Sequence, residues 1–325
     1  MLDCRGRNIH YLRISVTDRC NLRCVYCMPE RGIAWVSHDE ILTYEEILHL
    51  VRIFARLGVD RVRLTGGEPL TRKGLPVLVA GLKAIPGIRR VGLTTNGVLL
   101  ETQLPQLKAA GLDAVNLSLD ALDPVRYESI ARRDALAEAW RGLMAARATP
   151  GLTVKVNCVP VEGNEDQWVW LAMLAKEEPA MDVRFIELMP IGLGGSLRPQ
   201  EEETVLTRLE KALGPALPCP QDTGGGPGRY VTFPGFAGRV GFISAISRQF
   251  CGSCNRVRLT ASGVLKPCLQ YESDLDLKAL LRGGCSDARL SEVIENAIYH
   301  KPFSHHFGAP GTLVDEGHSM NQIGG

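Results

Sequence analysis

Residues 11–27 read YLRISVTDRCNLRCVYC, and the architecture of the protein follows from them. A short strand-like run, His10–Ser15, leads into three cysteines, Cys20, Cys24 and Cys27. Three thiolates on one compact loop can hold three irons of a [4Fe–4S] cube and leave the fourth iron without a protein ligand. Structural zinc, the alternative, needs a fourth ligand close by. The nearest histidine, His38, lies eleven residues beyond Cys27.

Strand-like runs and helical stretches alternate after this loop. Strand, helix and strand in succession predict right-handed crossovers and a parallel sheet. Six such units are too few for an eight-stranded barrel, so we predict an α/β fold with an open, partial (β/α)6 barrel; a doubly wound sheet is the alternative. The five further runs are Arg61–Thr65, Arg89–Thr95, Asp113–Leu119, Thr153–Val159 and Asp182–Leu188.

The chain divides after about residue 190, where the alternation ends and short elements follow. We assign residues 1–190 to the barrel and residues 191–325 to a C-terminal region packed on it. Two helices of the barrel have recognisable ends. Thr43 and Glu46 have capping-box spacing before a helix that ends near Gly58, and a shorter helix is predicted from Pro105 to Ala110.

The strands carry polar residues where buried parallel strands are usually apolar. Arg61, Arg63 and Thr65 share one face of their strand, as do Lys155 and Asn157 of another. This pattern predicts a wet, functional lumen. The alternative is a set of edge strands with one solvated face.

Composition excludes several classes of protein. The 325 residues include 45% hydrophobic and 22% charged residues, and the net charge is +1. This balance argues against a general nucleic-acid or membrane-surface binder. No apolar run reaches the length of a membrane span, and no signal core is present, so we expect a cytoplasmic protein. Ten cysteines, mostly clustered, indicate metal sites rather than a disulfide scaffold.

A second cysteine triplet lies near the C-terminus. Cys251 and Cys254 are followed by Cys268, again with no obvious fourth ligand. Zinc completed by His300, His305 or His306 is the alternative. Arg256 and Arg258 follow directly at alternate positions, and two guanidinium forks beside a metal site suit phosphate.

The first cysteine loop, with an aromatic residue before its third cysteine, resembles the radical S-adenosylmethionine (SAM) superfamily. Thr65-Gly66-Gly67-Glu68-Pro69 ends the second strand, where that superfamily carries its glycine-rich SAM motif. The resemblance implies that the open iron chelates SAM and that one electron cleaves SAM to a 5′-deoxyadenosyl radical. It places Tyr26, Gly67, Ser118 and Met189 at the cofactor.

Motifs along nearly the whole chain resemble one family, GTP 3′,8-cyclase, which begins molybdenum cofactor biosynthesis. They include CNLRCVYCMPE, RLTGGEPL, GLTTNGVLL, NLSLD, VKVNC, RFIELMPIG, FCGSCNRVRLT and LKPCL. The resemblance implies a partial barrel closed by a C-terminal region with a second [4Fe–4S] cluster. It implies that GTP becomes 3′,8-cyclo-7,8-dihydro-GTP. The positions matching the family's GTP contacts are Arg13, Arg61 (often Lys in the family), Arg63, Thr94, Lys155, Arg184, Arg256 and Arg258.

The family also uses its C-terminal tail, which enters the active site. The resemblance therefore assigns catalytic roles to Gly324 and Gly325, together with Arg13, Arg256 and Arg258. It implies a flavodoxin- or ferredoxin-like electron donor and delivery of the product to cyclic pyranopterin monophosphate synthase, and it is compatible with a homodimer. The alternatives are a radical SAM enzyme that modifies peptides and a zinc protein without catalytic activity.

Overall fold

This computed structural model describes residues 1–34, 36–179, 181–219, 226–307 and 316–324. All six predicted strands are present, with ends within two residues of the predicted ones. They pair in parallel in sequence order, each new strand joining the same edge. They are β1 (Tyr11–Ser15), β2 (Arg61–Thr65), β3 (Arg90–Thr95), β4 (Ala114–Ser118), β5 (Thr153–Cys158) and β6 (Met181–Ile186).

The strand order decides between the two predicted architectures. A doubly wound sheet reverses its order at a switch point, and this sheet does not. Right-handed crossovers in one direction place the connecting helices on one face, which is the barrel arrangement. Those helices are α1 (Tyr44–Arg56), α2 (Leu75–Lys83), α3 (Leu100–Ala109), α4 (Pro124–Ala131), α5 (Leu136–Arg147) and α6 (Trp168–Met173).

The C-terminal region extends both edges of this sheet. The added strands in the described residues are β7 (Leu217–Pro218), β8 (Arg229–Thr232), β9 (Arg239–Ile243), β10 (Arg256–Leu259) and β11 (Leu265–Lys266). β10 is parallel to β1, and β9 is parallel to β6, so eight neighbouring strands are parallel. Within the described residues the two outermost strands, β7 and β11, do not pair with each other. Closure of the open side therefore stays a prediction.

The described residues of this region also form the α-helices α7 (Glu202–Leu213), α8 (Leu277–Arg282), α9 (Asp287–Tyr299) and α10 (Met320–Ile323). Because its strands join the barrel sheet, the region packs on the barrel; the predicted boundary at residue 190 stays a prediction. In the described part of the chain no helix is long and apolar enough to cross a membrane.

Local sequence signals account for the ends of α1. The Thr43 side chain accepts a hydrogen bond from the Glu46 backbone N–H, and the Glu46 carboxylate accepts one from the Thr43 backbone N–H, as the capping box predicts. Gly58 follows the C-cap with φ of 97°, which favours glycine. The helix predicted from Pro105 is longer than expected, because α3 begins at Leu100. Its buried Leu100, Leu104 and Leu107 hold it on the barrel although Pro105 lies inside it.

Candidate active site

A cavity of about 780 Å³, open to solvent, lies over the sheet. Six strands contribute the cations that dominate its lining. The predicted polar lumen is therefore present, and the alternative of solvated edge strands is wrong. The cations are Arg13, Arg61, Arg63, Arg90, Lys155, Arg184 and Arg256; all but Arg90 are among the predicted substrate-binding residues.

Strand register explains why the arginines converge. β1 lies between β2 and β10 and is parallel to both. Arg13 pairs in register with Arg63 on one side and with Arg258 on the other. Both flanking strands carry the same alternation, Arg-Val-Arg-Leu. Their valines and leucines face the core, so their arginines share the opposite face.

The guanidinium groups are crowded and desolvated. Burial, together with the neighbouring Arg258, Arg256 and Arg63, places the pKa of Arg13 well below its usual value. Burial and the nearby Arg256 lower the pKa of Arg258 to about 10. Desolvated like charges destabilise the free protein unless anions compensate them. The arrangement therefore favours binding of a multiply charged anion.

Neighbouring groups hold several of these cations in place. Arg184 donates from Nε and Nη2 to Asn157 Oδ1, at 2.9 and 2.6 Å. Lys155 Nζ lies 2.8 Å from Asp182 Oδ2. A Cβ atom at Gly92 would lie 2.8 Å from Nη2 of Arg63, so glycine on β3 makes room for that guanidinium. The site is pre-arranged on rigid strands.

Two further residues bear on the predicted substrate site. Thr94 does not line the cavity, but its Oγ1 is buried and has no hydrogen-bond partner within the described ranges. Arg90 lines the cavity and is paired in register with Arg61. Sequence reasoning missed Arg90, although it shares the face of Thr94 on the predicted third strand.

The first cysteine loop follows β1. Cys27 N donates to Cys24 O at 2.9 Å, and Arg23 N and Val25 N donate to the end of α4. Burial raises the pKa of the Cys20 thiol to about 11 and that of Cys27 to about 12. Thiols so desolvated are costly to ionise unless a metal compensates the charge.

The distances between the cysteine sulfur atoms distinguish a site for an iron–sulfur cube from a site for one zinc ion. Zn–S bonds of about 2.3 Å place the sulfurs of one tetrahedral ion about 3.8 Å apart. Neither triplet brings its three Sγ atoms within 4.8 Å of one another. As placed, the described thiols of each triplet are too far apart to share one zinc ion. They are Cys20, Cys24 and Cys27, and Cys251, Cys254 and Cys268.

The histidines proposed as zinc ligands have other partners. Nε2 of His305 lies 2.5 Å from Ala245 O, and Nδ1 of His300 lies 3.0 Å from Asn296 O. Nε2 of His306 lies 3.3 Å from Ser304 Oγ. The side chain of His38 lies outside the described residues.

The second triplet differs from the first in the direction of a pKa shift, that of its Cys254 thiol. Burial raises the pKa of Cys254, but Lys301 and Arg256 lower it to about 7. Arg7, which sequence reasoning missed, donates from Nη1 to Cys251 O and to Phe303 O, both at 2.9 Å. No motif marks Arg7, because its role depends on contacts almost 250 residues away.

The two triplets lie at opposite ends of the strands. β10 begins two residues after Cys254, whereas β1 ends five residues before Cys20. Since β1 and β10 are parallel, the second triplet lies at the amino ends and the first at the carboxyl ends. Five strand residues span about 16 Å. The cationic cavity lies between the two triplets.

A smaller pocket of about 290 Å³ adjoins the first cysteine loop and includes Cys24, Tyr26 and Ser118. Tyr26 donates its hydroxyl hydrogen to Asp120 Oδ2 at 2.6 Å. Burial raises the pKa of Asp120 to about 6, although this hydrogen bond lowers it. Tyr26 and Ser118, predicted at the cofactor, are thus brought together. Met189 lines neither this pocket nor the cationic cavity, and its role stays a prediction.

The glycine-rich turn after β2, which is predicted to contact SAM, also packs against the backbone of the cysteine loop. A Cβ atom at Gly67 would lie 2.4 Å from Arg19 O and 2.6 Å from Asp18 O. Gly67 N also donates to Thr17 O at 2.7 Å. The glycines therefore let the turn pack directly on the start of the cysteine loop.

We expect Gly67→Ala to displace the first cysteine loop, because its Cβ atom would clash with Arg19 O at 2.4 Å. Iron bound after anaerobic reconstitution should fall by about four per chain. Gly195→Ala is the control, since its Cβ would meet nothing closer than 4.0 Å. Full iron content in Gly67→Ala would contradict the packing role.

The C-terminal tail enters this region. Asn321 Nδ2 donates to Asp18 O at 3.0 Å, and Arg258 Nη1 donates to Gly324 O. Gly324 has φ of 76°, and a Cβ atom there would lie 2.7 Å from Thr65 Oγ1. The tail therefore links the first cysteine loop to the arginine strand β10. Gly325 lies outside the described residues.

Two family models match most of the chain. Residues 14–174 match the radical SAM superfamily, and residues 181–307 match Molybdenum Cofactor Synthesis C. GTP 3′,8-cyclase of Heliobacterium modesticaldum is 48% identical to this chain, with all of both chains covered. The chain belongs to the GTP 3′,8-cyclase family. That of Pelotomaculum thermopropionicum is also 48% identical, again over both full chains.

A mammalian relative and a solved structure extend this result. Molybdenum cofactor biosynthesis protein 1 of Bos taurus is 42% identical; the match covers 94% of this chain and 48% of that protein. The match to the crystal structure of Streptococcus suis SuiB covers 91% of this chain and 67% of the SuiB chain. Its TM-score is 0.61, and the two sequences are 15% identical. At that identity the likeness shows the fold alone. The radical SAM match implies one [4Fe–4S] cluster and SAM.

Proposed function

We propose that this GTP 3′,8-cyclase family member converts GTP to (8S)-3′,8-cyclo-7,8-dihydroguanosine 5′-triphosphate, the first step of molybdenum cofactor biosynthesis. One observation carries the proposal: a cavity lined by seven cations lies between two cysteine triplets. SAM bound at the first cluster would supply a 5′-deoxyadenosyl radical. The residues of the chain bind and orient the nucleotide and exclude water.

The triphosphate is assigned to the cations of the cavity. A nucleoside triphosphate carries about four negative charges, and several desolvated cations are needed to compensate them. Arg13, Arg63 and Arg256 present rigid forks from three neighbouring strands. The chain has no Walker-type glycine loop, so side chains take the place of a backbone cradle.

The two cysteine triplets receive different roles. Cys20, Cys24 and Cys27 hold the cluster beside the pocket of Tyr26 and Ser118, where SAM would bind. Cys251, Cys254 and Cys268 hold a second [4Fe–4S] cluster at the other end of the cavity. Its open iron is assigned to the guanine of the bound nucleotide. Gly67 and Met189 complete the proposed SAM contacts.

The remaining assignments concern partners. An external one-electron donor of the flavodoxin or ferredoxin type would reduce the first cluster, and cyclic pyranopterin monophosphate synthase would receive the product. We infer a cytoplasmic enzyme that can form a homodimer. The decisive experiment is anaerobic reconstitution followed by incubation with SAM, a reductant and GTP. Absence of the cyclised nucleotide from a protein with both clusters would overturn the proposal.

An enzyme that modifies peptides would need a different cavity lining. A peptide carries few negative charges, whereas seven of the described residues that line this cavity are Arg or Lys. Binding of GTP but not of peptide to the reconstituted protein separates the two functions.

We expect Arg256→Ala and Arg258→Ala each to weaken GTP binding by about 1.5–3 kcal/mol, the value of a hydrogen bond to a charged group. This corresponds to roughly 10–150-fold in Kd, measured by anaerobic calorimetry. SAM cleavage without GTP should change little, because both residues lie on the strand beside the second triplet.

Arg52→Ala is the matched control, since Arg52 is exposed on α1. Iron content is measured in parallel, because Arg256 also lies close to the Cys254 thiol. A collapse of iron content in either variant would show that the arginine maintains the cluster, and the binding assignment would then fail.

A further inference from the structure

Tyr11 occupies the centre of the arginine array. It begins β1 and is paired in register with Arg61 on β2 and with Arg256 on β10. Its side chain lines the cationic cavity. Arg63 Nε donates a hydrogen bond to the Tyr11 hydroxyl oxygen at 2.5 Å. Tyr11 is not among the predicted site residues.

Cations from four strands face Tyr11. Arg13 lies on its own strand, Arg61 and Arg63 on β2, Arg256 and Arg258 on β10, and Arg184 on β6. Burial would raise the pKa of Tyr11, but Arg63, Arg13 and Arg256 lower it to about 8. The free protein therefore holds a phenol that ionises near physiological pH.

We propose that Tyr11 is the internal counter-ion of the polyphosphate site. In the free protein its phenolic oxygen holds Arg63 and reduces repulsion among the guanidinium groups. When the triphosphate binds, a phosphate oxygen replaces the phenolic oxygen at Arg63, and Tyr11 takes up a proton from solvent to become a neutral phenol. This inference rests on the proposed function, because it requires the triphosphate to occupy the cavity.

The sign of the pH dependence follows from linkage. Bound phosphates neutralise the arginines that lower the pKa of Tyr11, so that pKa rises again in the complex. Binding is then coupled to proton uptake above the pKa of the free protein. With a pKa of about 8 in the free protein, this group weakens binding as pH rises. The expected loss of affinity is about tenfold between pH 7 and pH 9.

The test uses the anaerobic protein with both clusters and inorganic triphosphate, which lacks the near-ultraviolet absorbance of guanine. Wild-type protein at pH 9 should lose tyrosinate absorbance on binding. Calorimetry in two buffers of different ionisation enthalpy should show uptake of about one proton. Tyr11→Phe should show neither signal and should lose the tenfold decline in affinity.

Tyr44→Phe is the matched control. Tyr44 lies on α1 with its hydroxyl 3.0 Å from Lys73 O, and burial raises its pKa to about 12. This variant should behave as wild type. Equal proton uptake in Tyr11→Phe and wild type would overturn the inference, as would absence of uptake in a wild type that binds triphosphate and forms product. A wild type that binds neither triphosphate nor GTP would instead overturn the proposed function.

Discussion

We expect Cys24→Ser protein to cleave no SAM and form no product, whereas Cys254→Ser protein should still cleave SAM without forming product. The reason is the separation of the two triplets at opposite ends of parallel strands. Loss of one ligand removes one cluster and leaves the other supported by its own loop. Each variant should bind about four irons per chain, against about eight in the wild type.

Cys285→Ser provides the control, because Cys285 is a half-buried cysteine of the α8–α9 turn outside both triplets. It should retain about eight irons and full activity. SAM cleavage is followed through 5′-deoxyadenosine, and cyclisation through the modified nucleotide. Cyclase activity in either Cys24→Ser or Cys254→Ser would contradict the two-cluster assignment. A single zinc ion bound in place of iron would do the same.

The barrel could be predicted from sequence because its signals are local. Alternation within Arg61–Thr65 specifies both a strand and the face on which its arginines lie. The same alternation in Arg256–Leu259 predicts a strand but not its partner. Pairing of β10 with β1 joins residues about 245 positions apart, and only the folded chain shows it. The extension from six parallel strands to eight was missed for this reason.

The metal-binding cysteines and most cations of the candidate site could be predicted from sequence. The residues that contact and position them were harder to predict. The cysteines and most cavity cations lie in motifs or in alternating strands. Arg7 acts through distant backbone contacts that no local pattern records, whereas strand alternation gives the faces of Tyr11 and Arg90 but not the residues beside them in register. Gly67 illustrates a partial success. Its place in the glycine-rich motif indicated that the backbone there closely approaches a ligand. In the structure, the atoms that a Cβ at Gly67 would meet belong to the backbone of the cysteine loop.

Deletion of Gly324 and Gly325 should leave both clusters and SAM cleavage intact while product formation falls by about 100-fold. The tail contacts Arg258 through Gly324 O and the cysteine loop through Asn321. Removing the last residues frees Arg258 from one hydrogen-bond acceptor without disturbing the sheet. A guanidinium that is no longer held can place the triphosphate wrongly, and a displacement of about 1 Å costs about that factor in rate.

Gly324→Ala tests the same role without shortening the chain. A Cβ atom there would lie 2.7 Å from Thr65 Oγ1 and 3.0 Å from Ser15 Cβ, and φ of 76° disfavours any side chain. This variant should also lose product formation while keeping its iron. A synthetic peptide of the last residues should restore part of the activity of the deletion variant, because it carries the Asn321 and Gly324 groups that contact the cysteine loop and Arg258. Wild-type rates of cyclisation after deletion would show that Arg258 is positioned by the sheet alone.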